Sequence, residues 1–194
     1  MVDSPSTARR LLVATPALLD PNFFRTVVFV IEHTDDAALG VVLNRPSEVD
    51  IAEALPDWAD LATAPGVAFV GGPVQAHEAL IGIGRTVDAS PPPAGTQADD
   101  GWYPLLDRFG TVDLGRRPDD LAPAVDGVRV FAGYAAWGPR QLEGELDEHA
   151  WFVVDALPGD LLTSDPAALW RQVLRRQGGE LAMVANQPVD PRTN

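Results

Sequence analysis

Asn22, Arg25, His33, Asn44, Gly72, Tyr134, Trp137 and Arg140 are the positions of this chain best suited to grip a ligand. The Asn, Arg and His side chains bring donors and acceptors in fixed geometries. Tyr134 and Trp137 bring apolar area with a polar handle. Gly72 sits in a Gly71-Gly72-Pro73-Val74-Gln75 loop after a strand-like run, where backbone N–H groups can meet an anion or carbonyl. Residues 133–139 leave a strand and enter a helix, a geometry that presents unpaired N–H groups. Together these groups would line a cleft between the first hairpin and residues 133–139. A packing reading is equally coherent. Trp137 then fills the core, Pro139 opens a helix and Arg140 meets surface acids. That reading is favoured, because aromatic anchors in cores and loops are common.

Other reactive constellations have less support. His33, His77 and His149 are spaced far wider than HxH or HExxH, so no metal site is expected. Gly82-Ile83-Gly84-Arg85 lacks GxGxxG spacing and lies inside a strand pattern, where it marks a bulge or close crossing. Thr26, Glu32 and His33 suggest a hydroxyl–imidazole–acid triad, but their order alone has no force. Ser47, Ser90 and Ser164 lack a GxSxG elbow. Glu143 and Asp147 share a helical face as a solvated pair. No catalytic residue and no cofactor is expected.

The net charge of -14 opposes non-specific binding to nucleic acid or anionic membrane. Lysine is absent, so arginine supplies every side-chain cation other than histidine, and the close pairs never extend into a stripe. With no cysteine, disulfides, thiolate catalysis, iron–sulfur clusters and cysteine-based zinc sites are excluded. No apolar run reaches the length of a transmembrane helix. Arg9-Arg10 before LLVATPALL superficially resembles a signal peptide, but the run stops at Asp20-Pro21 and enters a second strand-like segment. It is read as part of the domain, and the protein as cytoplasmic.

At 194 residues, one domain is the default. Leu11–Thr15 is a short strand, followed by Asp20-Pro21-Asn22 turn chemistry. Residues 26–32 and 39–43 are continuous apolar strands joined by a short turn, so antiparallel pairing is expected. Asp50 caps a helix over 51–55. Further strands are expected at 67–70, 79–85, 128–134 and 151–155. Residues 88–100 read as an exposed Pro/Gly/Asp loop. Pro139 opens a helix in which Leu142 and Leu146 share a face, and Gly144 suggests close packing. Asp165-Pro166 starts a helix closed by Gly178-Gly179, with Leu169, Val173 and Trp170 on its apolar side. Residues 181–184 are a terminal strand or helix tail. This order predicts α+β with a mixed, largely antiparallel sheet, not a doubly wound fold.

The same stretches resemble the YqgE/AlgH family of bacterial proteins. The resemblance rests on Leu11-Leu12-Val13-Ala14-Thr15-Pro16, Asp20-Pro21-Asn22-Phe23 with Arg25-Thr26-Val27, and Glu32-His33. It continues through Gly40-Val41-Val42-Leu43-Asn44-Arg45-Pro46, Gly71-Gly72-Pro73-Val74, Gly133-Tyr134-Ala135 and Trp137-Gly138-Pro139 with Gln141-Leu142-Glu143. It keeps its order across residues 8–186, leaving 1–7 and 187–194 as flexible ends. The resemblance implies one compact α+β domain with a bifurcated or barrel-like sheet surrounded by helices. It implies no catalytic residues, and one member name reflects a proposed role in transcriptional regulation of alginate synthesis. The chain departs from the family in its Pro-rich 91–93 loop.

The expected function is a cytoplasmic, non-enzymatic binding or regulatory protein whose partner is a protein or small molecule. The first alternative is a small-molecule enzyme or sensor using the cleft described above. The second is a DNA-linked transcriptional regulator, although the net charge opposes direct nucleic-acid binding.

Overall fold

The apolar runs become strands because each is covered on both faces. In the computed structural model, residues 6–87, 101–121 and 124–187 are described. The flexible ends expected at 1–7 and 187–194 fall largely outside them, as does the loop at 88–100. A five-stranded antiparallel sheet has the order β10-β3-β2-β1-β11. Its strands are β1 (Arg10–Ala14), β2 (Val27–His33), β3 (Ala38–Val42), β10 (Ala135–Trp137) and β11 (Trp151–Asp155). A six-stranded sheet has the order β4-β5-β9-β6-β8-β7. It contains β4 (Pro46–Asp50), β5 (Val67–Val70), β6 (Leu80–Thr86), β7 (Trp102–Leu106), β8 (Phe109–Val112) and β9 (Val125–Ala132). Only β5 and β9 pair in parallel among the named strands. The expected α+β, largely antiparallel architecture is therefore observed.

Alternation along β1 shows how the layers are made. Leu11 and Val13 face the central core, which lies between the sheets and also takes Phe69, Phe131 and Leu169. Leu12 and Ala14 face a second cluster with Trp137, Leu142 and Trp151. On the far side of the six-stranded sheet, Ile51, Trp58, Trp102 and Val128 form a third cluster. Period-two side chains and two covered faces produce the continuous apolar strands seen in the sequence.

The helices are α1 (Ile51–Ala54), α2 (Gln141–Asp147), α3 (Pro158–Leu161), α4 (Pro166–Gln177) and α5 (Gly179–Val184). Asp50 caps α1 through a bond from Ala52 N–H, and Asp165 caps α4 by accepting from Ala168 N–H. Gly178 closes α4 with φ of 73°, a conformation glycine adopts without steric cost. Leu169, Trp170, Val173 and Leu174 are buried along α4, each contributing roughly 1.5–3 kcal/mol. Residues 181–184 fall in α5, so the helical alternative holds there.

Five short elements depart from the sequence expectations: β4, β7, β8, α3 and β10. The last has the largest consequence. It pairs directly with β3, placing Ala135 opposite Gly40 and Trp137 opposite Ala38. The first hairpin and residues 135–137 therefore touch as neighbouring strands, not as the two walls of a cleft.

Gly144 also departs from expectation. A Cβ built there meets nothing within 4 Å, so no close contact requires glycine. Gly144→Ala should stabilise the protein by about 1 kcal/mol through helix propensity. Thermal or urea denaturation would show this as a raised midpoint with an unchanged slope.

Candidate functional site

The hairpin and α4 meet at a hollow of about 600 Å³ lined by Arg25, Asn44, Arg45, Asp165, Trp170 and Arg171. Three arginines and one aspartate thus line one concavity in a strongly acidic chain.

The hairpin positions two of these arginines through backbone chemistry. Asn44 is buried, and its Oδ1 accepts from Val27 N–H at 2.9 Å while its Nδ2 donates to Arg25 C=O at 2.9 Å. This clamp spans Arg25, which has φ of 54°, a region that non-glycine residues enter at a cost. The turn sends the Arg25 guanidinium over the Trp170 ring, 4.6 Å from its centroid. Trp170 is anchored by a 2.9 Å bond from Nε1 to Ala14 C=O. Arg25 Nη2 donates to Gln187 C=O at 2.8 Å, and Arg45 Nη2 to Phe24 C=O at 2.6 Å.

Burial lowers the Arg25 pKa from its ordinary value, and the neighbouring Arg171 charge lowers it further. Burial also lowers that of Arg45. Like charges held together and partly desolvated attract an oxyanion, which relieves both costs. The chemistry available here is bidentate recognition of phosphate or carboxylate.

Two of the eight sequence-predicted residues, Arg25 and Asn44, line this hollow. The others do not gather there. Asn22 is exposed in a turn where its N–H bonds Asp20 Oδ1. Gly72 packs so tightly on the Tyr134 backbone that a Cβ would collide with it. Val74 and Tyr134 exchange backbone hydrogen bonds, and Gly71 N–H bonds Ala132 C=O. The donors expected to cradle an anion at residues 71–75 are thus partly spent on cross-strand pairing. Trp137 is buried in the second cluster, as the packing reading holds. Arg140 is exposed with φ of 59°. Arg45, Arg171, Trp170 and Asp165 were not among the sequence candidates. Arg45 adjoins Asn44, but no local pattern brings Arg171 to it from across the chain.

His33 has a separate environment. Its side chain is 7% exposed, and Nε2 lies 3.2 Å from Glu143 Oε1. Nδ1 lies 3.0 Å from Thr7 N and 2.9 Å from Thr7 Oγ1. Because a backbone N–H only donates, Nδ1 is the acceptor and Nε2–H bonds the carboxylate. The row resembles a hydroxyl–imidazole–acid triad, but it differs from the combination considered in the sequence. Thr26 instead donates to Phe23 C=O, and Glu32 is exposed. Thr7 is only 3% exposed, and its own N–H engages the imidazole lone pair that a nucleophile would need. The row is therefore a clamp joining the N-terminal segment, β2 and α2. Glu143 is tied to His33, not paired in solvent with Asp147. His77 borders an apolar hollow on the six-stranded sheet, and His149 is an exposed turn residue with φ of 58°. The three histidines thus lie in separate environments.

No helix among the described residues is long and apolar enough to cross a membrane.

Comparison with known proteins follows the same architecture. The AlgH-like family model (DUF179) matches residues 11–182. A UPF0301 protein of Streptomyces coelicolor is 53% identical over 194 residues, covering 100% of this chain and 98% of that protein. A UPF0301 protein of Thermobifida fusca is 46% identical over 202 residues, covering 100% and 98% respectively. The crystal structure of protein DIP2367 from Corynebacterium diphtheriae superposes with a TM-score of 0.82 at 33% identity, covering 95% of this chain and 94% of that one. The solution structure of the AlgH protein from Pseudomonas aeruginosa gives 0.67 at 26% identity, covering 97% and 98%. From residues 11–182 and from these full-length likenesses, the chain belongs to the bacterial YqgE/AlgH (UPF0301) family.

Proposed function

We propose that this chain is a cytoplasmic, non-enzymatic binding or regulatory protein that takes a small anionic ligand into the Arg25–Arg45–Arg171 hollow. The observation that carries the reading is that three arginines line one concavity, with the Arg171 charge acting on Arg25. Two are already anchored to backbone carbonyls, so little side-chain freedom is lost on binding. The overall charge of -14 does not forbid this. Surface potentials are screened over about 8 Å at physiological salt, so the nearest charges dominate.

Isothermal titration with inorganic phosphate and a panel of organic anions tests the reading. A saturable anion should lose about ten- to hundredfold in affinity in Arg45→Ala, the effect of one charge-assisted bond. Uniform failure of the panel, or affinities unmoved by Arg45→Ala, would sink the proposal. A DNA-linked regulatory role makes a different prediction. Duplex binding would weaken steeply with salt, with a slope counting several phosphates.

A further inference from the structure

Asp165 has the wrong sign for a site that holds only a bare anion. It lines the same hollow as the three arginines. Its Oδ1 accepts from Ala168 N–H at 3.2 Å, and its own N–H bonds Thr163 Oγ1 at 3.2 Å. The carboxylate is thus held in place, while Oδ2 has no hydrogen-bond partner among the described residues. A carboxylate in the wall repels an oxyanion but accepts strongly from a hydroxyl.

Resting on the anion reading above, we infer that the hollow takes a phosphate monoester borne on a hydroxylated skeleton. The three guanidinium groups hold the phosphate, and Asp165 accepts a hydrogen bond from a ligand hydroxyl. Three cations less one anion leave two positive charges, matching the roughly -1.5 to -2 carried by a phosphate monoester at neutral pH. A carboxylate would leave that charge half balanced. The volume of about 600 Å³ far exceeds a lone phosphate and leaves room for a small organic skeleton. Pro46 and Ala167 provide apolar contact for its carbon atoms. Sugar phosphates and nucleoside monophosphates share this chemistry.

Asp165 also caps α4, so its carboxylate has a structural use whatever the ligand. Asp165→Asn separates the two roles, because asparagine caps a helix about as well as aspartate. Titrations of the full chain would use inorganic phosphate, ribose, ribose 5-phosphate and adenosine 5′-monophosphate. At least one ester should bind about tenfold more tightly than inorganic phosphate. Asp165→Asn should weaken that ester about tenfold while tightening inorganic phosphate, with an unchanged melting temperature. This opposite response would not follow from a merely structural cap. Equal binding of both esters supports the shared phosphate–hydroxyl unit, and preference for one identifies its source. If inorganic phosphate binds as well as both esters, or Asp165→Asn tightens every anion, the inference falls and the anion site stands. If no anion binds, both fall.

Discussion

Glu145→Ala should destabilise the protein by about 3–5 kcal/mol, because it leaves two buried indole donors without their shared acceptor. Glu145 Oε2 accepts from Trp137 Nε1 at 2.9 Å and from Trp151 Nε1 at 2.8 Å. Its Oε1 accepts from Gln141 Nε2 at 3.1 Å. Both tryptophans are buried, and each packs on Phe23. Water therefore has poor access to the freed N–H groups. The change also removes a charged acceptor, and bonds to charged groups exceed neutral ones in net value. A loss of this size is a large fraction of the 5–15 kcal/mol typical of a folded domain. Glu145→Gln keeps an oxygen acceptor and should cost only about 1 kcal/mol. Urea denaturation followed by tryptophan fluorescence measures both variants. Similar losses would assign the effect to charge; a near-neutral alanine variant would show that the indole donors find other partners.

Glu145 also shows where the sequence ceases to be informative. The helix was legible from the spacing of Leu142 and Leu146, but Pro139 does not open it: α2 starts at Gln141, after Arg140 in a left-handed conformation. Nothing local shows that one exposed-looking glutamate on that helix joins β10 to β11. Continuous runs such as residues 26–32 were legible because a strand buried on both faces needs nearly every residue apolar. The β10 run Ala135-Ala136-Trp137 was not, since three residues are too few to display a period. The candidate site divides the same way. Asn44 and Arg25 stood out within the first hairpin, where spacing in sequence approximates spacing in the fold. Arg171 lies on the polar side of α4, and its approach to the hairpin follows from packing of Trp170 under Arg25. Such long-range convergence leaves no periodic trace.

Arg129→Met sets two large effects against each other, and loss of stability of about 3 kcal/mol is expected. Arg129 is only 2% exposed on β9, and burial pushes its guanidinium down to about 10, still charged at neutral pH. No carboxylate is among its hydrogen-bond partners in the described residues. Nη1 donates to Thr163 C=O at 2.8 Å, Nη2 bonds Ala64 C=O at 2.5 Å and Thr63 Oγ1 at 3.2 Å, and the group stacks on Phe69. Removing the charge relieves its desolvation, which favours methionine. It also strips the Thr163 and Ala64 carbonyls of a charged donor beside a side chain that is itself buried, and methionine supplies none. The second effect should win, because the gain from an apolar swap requires that both sides of the interaction become apolar. The substitution also bears on the hollow. Thr163 carries the Arg129 bond on its carbonyl and receives the Asp165 N–H on its hydroxyl, so Arg129 positions the capping residue of α4. Anion affinity should therefore fall several-fold in Arg129→Met, although Arg129 does not line the hollow. Urea denaturation and phosphate-ester titration on the same protein distinguish the outcomes. Loss of stability with unchanged affinity would confine Arg129 to a structural role. A neutral or stabilised variant would mean that desolvation outweighs the carbonyl bonds, leaving a buried charge retained at the expense of stability.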